Sequence, residues 1–174
     1  MQRIIVIGNC GAGKSTFAKK LSQINGLELI HLDQYYYTPD WEGMNSKEWQ
    51  ELVKKVSSKL TWIMDGNYCG TMDLRISRAD TIIFLNYSTA KCLWRITKRI
   101  LKNWGKERPD MVKGCKERFN LKFYHYVASF NLKRRDKLLS KLEKYKKDKQ
   151  ILIFSNDKES NSFLKRINTE PNNA

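Results

Sequence analysis

The stretch GNCGAGKS, residues 8–15, decides the fold because it matches the pattern G-x-x-x-x-G-K-[ST] in full. Its glycines let the backbone curl so that successive N–H groups point inward at phosphate oxygens. The helix that follows directs the positive end of its dipole to the same place. In this pattern Lys14 reaches the β- and γ-phosphates, and the hydroxyl of Ser15 ligates Mg²⁺. The stretch therefore predicts a site for ATP and Mg²⁺.

The residues on either side of this loop supply the context that the pattern requires. Residues 3–7 are an apolar and mostly β-branched run, which predicts a strand covered on both faces. Residues 16–24 carry apolar side chains at helical spacing. Cys10, in the variable part of the loop, is either a small filler or a point of redox control. The residues expected to hold the nucleotide are Gly8, Asn9, Cys10, Gly11, Ala12, Gly13, Lys14, Ser15 and Thr16.

Strand-like runs alternate with amphipathic segments along the rest of the chain. The predicted strands cover 27–32, 61–64, 81–85 and 150–154. The predicted helices cover 46–60, 89–104, 119–130, 132–147 and 158–168, with Leu60 and Trp104 on the apolar faces of the first two. Such alternation is typical of an α/β fold, a parallel sheet with helices on both faces. Neither a repeat nor a linker divides residues 1–174, so we expect one domain.

Two carboxylates follow predicted strands. In an open α/β sheet, ligands bind beyond the carboxyl ends of the strands, where Asp33 and Asp65 are placed. Asp65 closes a Trp-Ile-Met-Asp run and is interpreted as part of the magnesium shell, with a turn-capping role as the alternative. Asp33 is either a contact to substrate or metal, with a catalytic role, or a structural residue. His31 is interpreted as a packed strand residue rather than a catalytic base.

Basic residues are expected near the phosphates. Lys91, Arg95 and Arg99 share one helix face, which is either a solvated stripe or, at Arg95, a substrate contact. Arg108 lies in a segment broken by glycine and proline, residues 103–118, which we interpret as a lid. Flexible basic segments that close over phosphates exclude water and supply charge to the transition state.

A second basic pair follows in a later helix, where Arg135, or its neighbour Arg134, is expected to reach the same phosphates.

Charge is distributed unevenly between the two halves of the chain, whose formal net charge is +15. Residues 1–90 hold 10 Lys and Arg against 9 Asp and Glu, whereas residues 91–174 hold 23 against 9. Such a field attracts anions of any kind, including nucleic acid. The apolar runs are too short for a membrane span or a signal peptide, and the four cysteines are widely spaced. We therefore expect a cytoplasmic protein with reduced thiols.

A combination of motifs carries a family resemblance. The matching residues are 8–16, 31–33, Pro39, Trp41, 62–68, Thr71, Asp73, Arg75, 79–85, 92–95, 108–111, Gly114 and Cys115. Together they resemble the bacterial P-loop proteins called DNA topology modulation proteins, which are similar in fold to adenylate and shikimate kinases.

The resemblance implies a nucleoside monophosphate kinase-like fold with strand order 2-3-1-4-5. It also implies Asp65 near Mg²⁺, Arg75 near the acceptor and Arg108 over the phosphates. Asn86, Asn120 and Asp136 depart from the family pattern, which puts the lid hinge and the later arginine cluster in doubt.

Two functions remain open at this point. The first is an ATP-dependent kinase acting on a nucleotide or a small hydroxylated metabolite, with residues 34–60 as the acceptor-binding segment. The second is an ATP-binding protein that associates with nucleic acid or regulates DNA topology, although no DNA-binding motif is present. The absence of an N-K-x-D sequence disfavours a GTPase.

Overall fold

A fully buried strand at the start of the chain forms the middle of the sheet. In the computed structural model, which describes residues 1–169 apart from the side chain of Asp40, this strand is β1, Arg3–Gly8. Ile4, Ile5, Val6 and Ile7 have no solvent exposure because both faces of the strand are covered. The apolar run before the phosphate loop therefore behaves as the sequence predicts.

Five parallel strands make up the sheet, in the order β2-β3-β1-β4-β5. The other four strands are β2, Leu29–His31; β3, Trp62–Asp65; β4, Thr81–Leu85; and β5, Gln150–Phe154. This confirms the fold class and the predicted strand order. Asp65 lies opposite Val6, and Leu85 lies opposite Gly8, so the carboxyl ends of β3, β1 and β4 share one edge.

Helices cover both faces of the sheet. They are α1, Lys14–Asn25; α2, Leu32–Tyr36; α3, Ser46–Ser57; α4, Met72–Arg78; α5, Thr89–Asn103; α6, Leu121–Ala128; α7, Asp136–Glu143; and α8, Asp157–Thr169. A π-helical turn, Asn131–Arg135, precedes α7. The core has two parts, one on each face of the sheet, because successive side chains of β1 point to opposite faces. Ile5 packs with α3, α4 and α7 on one face, and Val6 packs with α1, α5, α6 and α8 on the other.

Some local expectations were wrong. Helix α3 ends at Ser57, where the hydroxyls of Ser57 and Ser58 bond to backbone carbonyls of the last turn, and Leu60 beyond it is exposed. Trp104 leaves helical geometry at the end of α5 and is also exposed rather than inward. Helix α4 was not predicted, because the polar segment before β4 has weak periodicity.

All five strands belong to one sheet, and residues 170–174 of the expected domain lie outside the described residues. The single domain over residues 1–174 stays a prediction. Within residues 1–169, no helix combines the length and apolar character needed to cross a bilayer.

Candidate functional site

The loop between β1 and α1 has a conformation that glycine alone adopts easily. Gly8, Gly11 and Gly13 have φ angles of 148°, 80° and 90°. A Cβ at Gly8 would lie 2.6 Å from the carbonyl oxygen of Leu85, and one at Gly11 would overlap the carbonyl of Cys92. The motif glycines are therefore required both for backbone shape and for close packing on β4 and α5. The resulting concave loop at the start of α1 fits a phosphate group.

Neighbouring elements hold this loop in place. The side-chain amide of Asn9 donates to the carbonyl of Val127 in α6, at 3.0 Å. The ammonium of Lys14 donates to the carbonyl of Asn9, at 3.1 Å, and lies in the cleft beside the loop. Asn9 is therefore a structural anchor of the loop, whereas Lys14 keeps a single backbone partner that a phosphate oxygen can replace.

Arg95 lies behind the loop and braces it. Its guanidinium donates to the carbonyl of Ala12, at 3.2 Å, and to both carboxylate oxygens of Asp157, at 2.8 and 2.7 Å. Lys91 approaches the same carboxylate at 2.6 Å. Burial would raise the pKa of Asp157, but its bonds to Arg95 and Lys91 hold that pKa at about 2. The structure thus places Arg95 of α5 between the loop and α8 and in the lining of the cleft, and the predicted substrate contact of Arg95 stays a prediction.

Two carboxylates meet at the ends of β2 and β3. Asp65 is buried, and its Oδ1 accepts a bond from Nδ1 of His31, at 2.8 Å. Burial alone would lower the pKa of His31, but the bond and charge of Asp65 raise it above its ordinary value. Oδ1 of Asp33 accepts a bond from the hydroxyl of Tyr68, at 2.5 Å. Burial raises the pKa of Asp33, and the bond from Tyr68 only partly offsets this.

A short loop after β3, residues 66–68, is fixed from both sides. Asn67 exchanges two bonds with the backbone of Gly8, at 3.0 and 2.8 Å. From the other side, the guanidinium of Arg75 donates to the carbonyls of Gly66, at 2.9 Å, Asn67 and Tyr68. Arg75 is fully buried, and burial lowers its pKa to about 10. Both Nη groups of Arg75 are therefore bonded to the backbone, its buried Nε has no hydrogen-bond partner among the described residues, and its side chain does not line the cleft where the acceptor contact was predicted.

Aromatic side chains border the carboxylates. Tyr37, Trp41 and Tyr68 line the cleft, and the ring of Tyr36 connects them, with centroids 5.0 Å from Tyr37 and 4.9 Å from Tyr68. Trp41 and Tyr68 have positive φ angles, 68° and 35°. For bulky residues such angles are strained, and they persist where the surrounding structure imposes them, often at functional sites.

The lid contains a buried ionic cluster. Glu117 is almost fully buried, and its Oε1 lies 2.7 Å from Nε of Arg108 and 3.1 Å from Nε of Arg99. Arg108 also pairs with Asp110, at 3.2 Å. Arg108 thus lies in the predicted lid and lines the cleft, but in this conformation its charge is neutralised by lid carboxylates.

The lid docks on the predicted acceptor-binding segment. The amide of Gln34 donates to the carbonyl of Pro109, at 2.8 Å, and the indole N–H of Trp41 donates to the carbonyl of Lys116, at 3.1 Å. Gly114 packs so closely on Pro39 that a Cβ would lie 2.9 Å from its ring. Residues 103–118 therefore pack on the segment that follows β2 and contribute to the wall of the cleft, while their role as a lid stays a prediction.

The cleft enclosed by these parts has a volume of about 1430 Å³, which exceeds the range of pockets for a single small ligand. Several predicted site residues lie beyond its walls. Gly8 and Asn9 sit beneath the phosphate loop, and Arg135 bonds to Asn86, at 2.8 Å, and to Asp136. The predicted site residues that line the cleft are Cys10, Gly11, Ala12, Gly13, Lys14, Ser15, Thr16, Asp33, Asp65, Arg95 and Arg108.

The residues at the loop and at β3 fit a magnesium ion brought in with a nucleotide. Ser15 and Asp65 line the same cleft, and Asp65 is held opposite Val6 of β1, the strand that enters the loop. Mg²⁺ in phosphate-binding proteins takes one or two side-chain oxygens and completes its shell with water and phosphate. One hydroxyl and one carboxylate are therefore a sufficient protein contribution.

Known structures resemble this chain over nearly its whole length. A shikimate kinase from Bacteroides thetaiotaomicron is 19% identical, with 97% of each chain covered and a TM-score of 0.53. A shikimate kinase from Acinetobacter baumannii in complex with shikimate is 16% identical over 96% of this chain and 90% of that one, with a TM-score of 0.56. A gluconokinase from Sinorhizobium meliloti is 14% identical over 97% of this chain and 94% of that one, with a TM-score of 0.54.

These proteins share the fold. At such low sequence identity, the similarity shows a common fold and gives no information about the substrate. No protein-family model and no curated protein matches the chain. The resemblance to DNA topology modulation proteins thus gains no support beyond the fold and stays a prediction.

Sequence reasoning assigned no site role to Tyr68 or Glu117, included Trp41 only as part of the acceptor-binding segment 34–60, and interpreted His31 as a packing residue. Tyr68 contacts Asp33 and His31 contacts Asp65 across strands and loops that are more than thirty residues apart. A local pattern cannot reveal such pairs. The signal that was available is the position of Tyr68, three residues after a strand-end aspartate.

Proposed function

We propose that the protein is a magnesium-dependent kinase that transfers the γ-phosphoryl group of ATP to a hydroxyl of a small molecule. The observation that supports this best is a single cleft lined by Lys14 and Ser15 of the phosphate loop together with Asp33 and Asp65, which follow or end β2 and β3. One carboxylate suffices for the magnesium shell of a nucleotide-binding protein, whereas a second one beside aromatic rings suits the binding of a phosphate acceptor. The volume of the cleft is sufficient for ATP and an acceptor together.

Each part has a distinct role in this proposal. The loop backbone and Lys14 hold the β- and γ-phosphates, and Ser15 and Asp65 hold the magnesium shell. The ion supplies charge neutralisation at the transferring phosphate. His31 keeps Asp65 oriented through its bond to Oδ1. Arg108 belongs to the lid and adds positive charge when it is released from Glu117.

Asp33 is the group proposed to receive the proton. Its Oδ1 is occupied by Tyr68, which leaves Oδ2 for the acceptor hydroxyl. As the hydroxyl oxygen bonds to the γ-phosphorus, the bond from that phosphorus to the bridging oxygen breaks, and ADP leaves with the bonding electrons. The hydroxyl proton moves to Asp33.

The test is ADP release from ATP and Mg²⁺ in the presence of a panel of hydroxylated compounds. Wild type and Lys137→Ala, which changes an exposed lysine of α7, should release ADP equally, whereas Lys14→Ala should not. ATP binding is measured in parallel by titration calorimetry. If ATP binds with Mg²⁺ but no compound in a broad panel raises ADP release above that of Lys14→Ala, the protein is not a small-molecule kinase.

A further inference from the structure

The acceptor end of the cleft, where Asp33 lies beside Tyr37, Trp41 and Tyr68, has a carboxylate and aromatic rings. The cations whose charges reach Asp33, Lys14 and Arg108, are bonded to other groups among the described residues, and this limits what the acceptor end can bind. Arg75 is the residue from which an anion contact was expected. Its guanidinium is fully buried, bonds to three backbone carbonyls of residues 66–68, and does not line the cleft. Moving it toward a ligand would leave those carbonyls unsatisfied in the interior.

Four of the other cations that border the cleft are engaged. Lys14 and Arg95 lie at the phosphate loop, where they bond to the carbonyls of Asn9 and Ala12. Arg99 and Arg108 share the buried carboxylate of Glu117. The cations that line the cleft without an ion pair among the described residues are Lys19 and Lys20, which follow the phosphate loop in α1, and Arg118 of segment 103–118. Of these three, Arg118 alone belongs to the segment that packs on residues 34–41, so its role requires a separate test.

The charges that face the acceptor end are negative or neutralised. Asp33 has a hydrogen bond from Tyr68 but no ion pair among the described residues. His31 is bonded to Asp65, so the two form a pair without excess positive charge. A phosphate or carboxylate here would meet the charge of Asp33 without an unpaired cation beside it, since Lys14 is bonded at the loop and Arg108 is paired with Glu117.

The remaining surface of the acceptor end suits an uncharged ring. Tyr37 and Trp41 pack edge to face with centroids 5.4 Å apart, and Tyr68 lies beside Asp33. Hydrogen bonds hold both rings in place, from the indole N–H of Trp41 to the carbonyl of Lys116 and from the hydroxyl of Tyr68 to Asp33. Rings of this kind pack against the apolar faces of sugars and bases, and Asp33 offers an acceptor for hydroxyl groups.

We propose that the phosphate acceptor is a neutral, ring-shaped or extended polyhydroxyl compound of the nucleoside or sugar class, without a phosphate or carboxylate group. This inference rests on the proposed function and narrows it, because it excludes nucleoside monophosphates and sugar acids as good acceptors.

Matched pairs of compounds that differ in one anionic group test the proposal. Suitable pairs are adenosine and AMP, other nucleosides and their monophosphates, glucitol and gluconate, and methyl shikimate and shikimate. For a pair that is turned over, kcat/KM should favour the neutral member by at least about tenfold, since one unscreened like charge near Asp33 costs more than the equivalent free energy. Equal or better turnover of the anionic member overturns the proposal and leaves the kinase assignment intact.

Binding provides a readout that does not depend on turnover. Each pair is titrated into the protein with Mg²⁺ and a non-hydrolysable ATP analogue. Binding of a neutral member without its anionic partner supports the proposal, even if no ADP is released and the kinase assignment fails. Tighter binding of the anionic members, or no binding of any neutral member, overturns it. Asp33→Asn should reduce the discrimination between the members of a pair at least several-fold.

Arg75 and Arg118 are tested by substitution. Arg75→Met should lower Tm by several degrees without changing the neutral-to-anionic ratio, whereas Arg78→Met, an exposed change in the same helix, should alter neither. If Arg75→Met does not fold, Arg75→Lys is used. Arg118 is an exposed lid residue without an ion pair among the described residues, and Arg118→Ala should leave the ratio unchanged. If either variant loses turnover of anionic acceptors while it keeps turnover of neutral ones, the proposal is contradicted.

Discussion

At the phosphate loop the backbone makes the site, whereas at the ends of β2 and β3 side chains make it. The loop owes its shape to the left-handed conformations of Gly11 and Gly13, which depend on the absence of a Cβ. The acceptor end depends on pairs such as Tyr68 with Asp33, which join residues far apart in sequence. A binding site formed by backbone groups can be recognised from one short sequence motif. A binding site formed by side chains from different strands exists only once the sheet has formed.

The largest effect is expected at the phosphate loop. Lys14→Ala should reduce the rate of phosphoryl transfer by about a thousandfold, because the ammonium is a preorganised charge at the transferring phosphate. The fold should persist, since Lys14 has one backbone partner. Single-turnover rates and thermal melts measure the two properties. A folded variant with the wild-type rate would show that the loop end does not contribute to chemistry.

The ionic cluster of the lid should respond next most strongly. Glu117→Gln leaves two arginines without a buried counterion and should lower the free energy of unfolding by about 3 kcal/mol. It should also increase amide exchange in residues 103–118 of the free protein. Urea unfolding and exchange mass spectrometry provide the measurements, with Glu143→Gln, an exposed change in α7, as control.

In wild type, a non-hydrolysable ATP analogue with Mg²⁺ should protect residues 103–118 as well as 8–16. Protection that is confined to residues 8–16 would mean that segment 103–118 does not act as a lid and that Arg108 does not reach the phosphates.

A smaller and more selective effect is expected at β3. Asp65→Asn should lower turnover by about tenfold to a hundredfold while leaving magnesium-free binding of ATP nearly unchanged, because the carboxylate serves the metal shell rather than the nucleotide. A magnesium titration of the rate measures this, with Asp148→Asn, an exposed change, as control. If the rate of the variant matches that of wild type across the titration, Asp65 serves as a hydrogen-bond partner of His31 and not as a magnesium ligand.

The smallest effect concerns the brace behind the loop and depends on pH. The pKa of Asp157 is lowered from 3.8 to about 2, so its contribution to stability is fully present above pH 3.8 and is lost as the pH falls toward 2. Wild type should therefore be more stable than Asp157→Asn at neutral pH, and the two unfolding curves should converge between about pH 4 and 2. Salt should reduce the difference, because the carboxylate is partly exposed. If the difference in stability between wild type and Asp157→Asn stays constant across this pH range, it arises from packing rather than from the charge of Asp157.

Apart from the strand order, which the family resemblance implied, the sequence by itself determined the phosphate loop, the parallel α/β sheet and the positions of Asp33 and Asp65 at strand ends. These features follow from short-range patterns: glycine spacing, buried apolar runs and the residue that ends each strand. The tertiary structure decided which charges are available. Arg75 faces backbone carbonyls rather than the cleft, Arg95 braces the loop, and Glu117 neutralises the lid arginines. The orientation of a long side chain depends on which buried carbonyls and carboxylates lie within its reach, and those partners come from other elements of the fold.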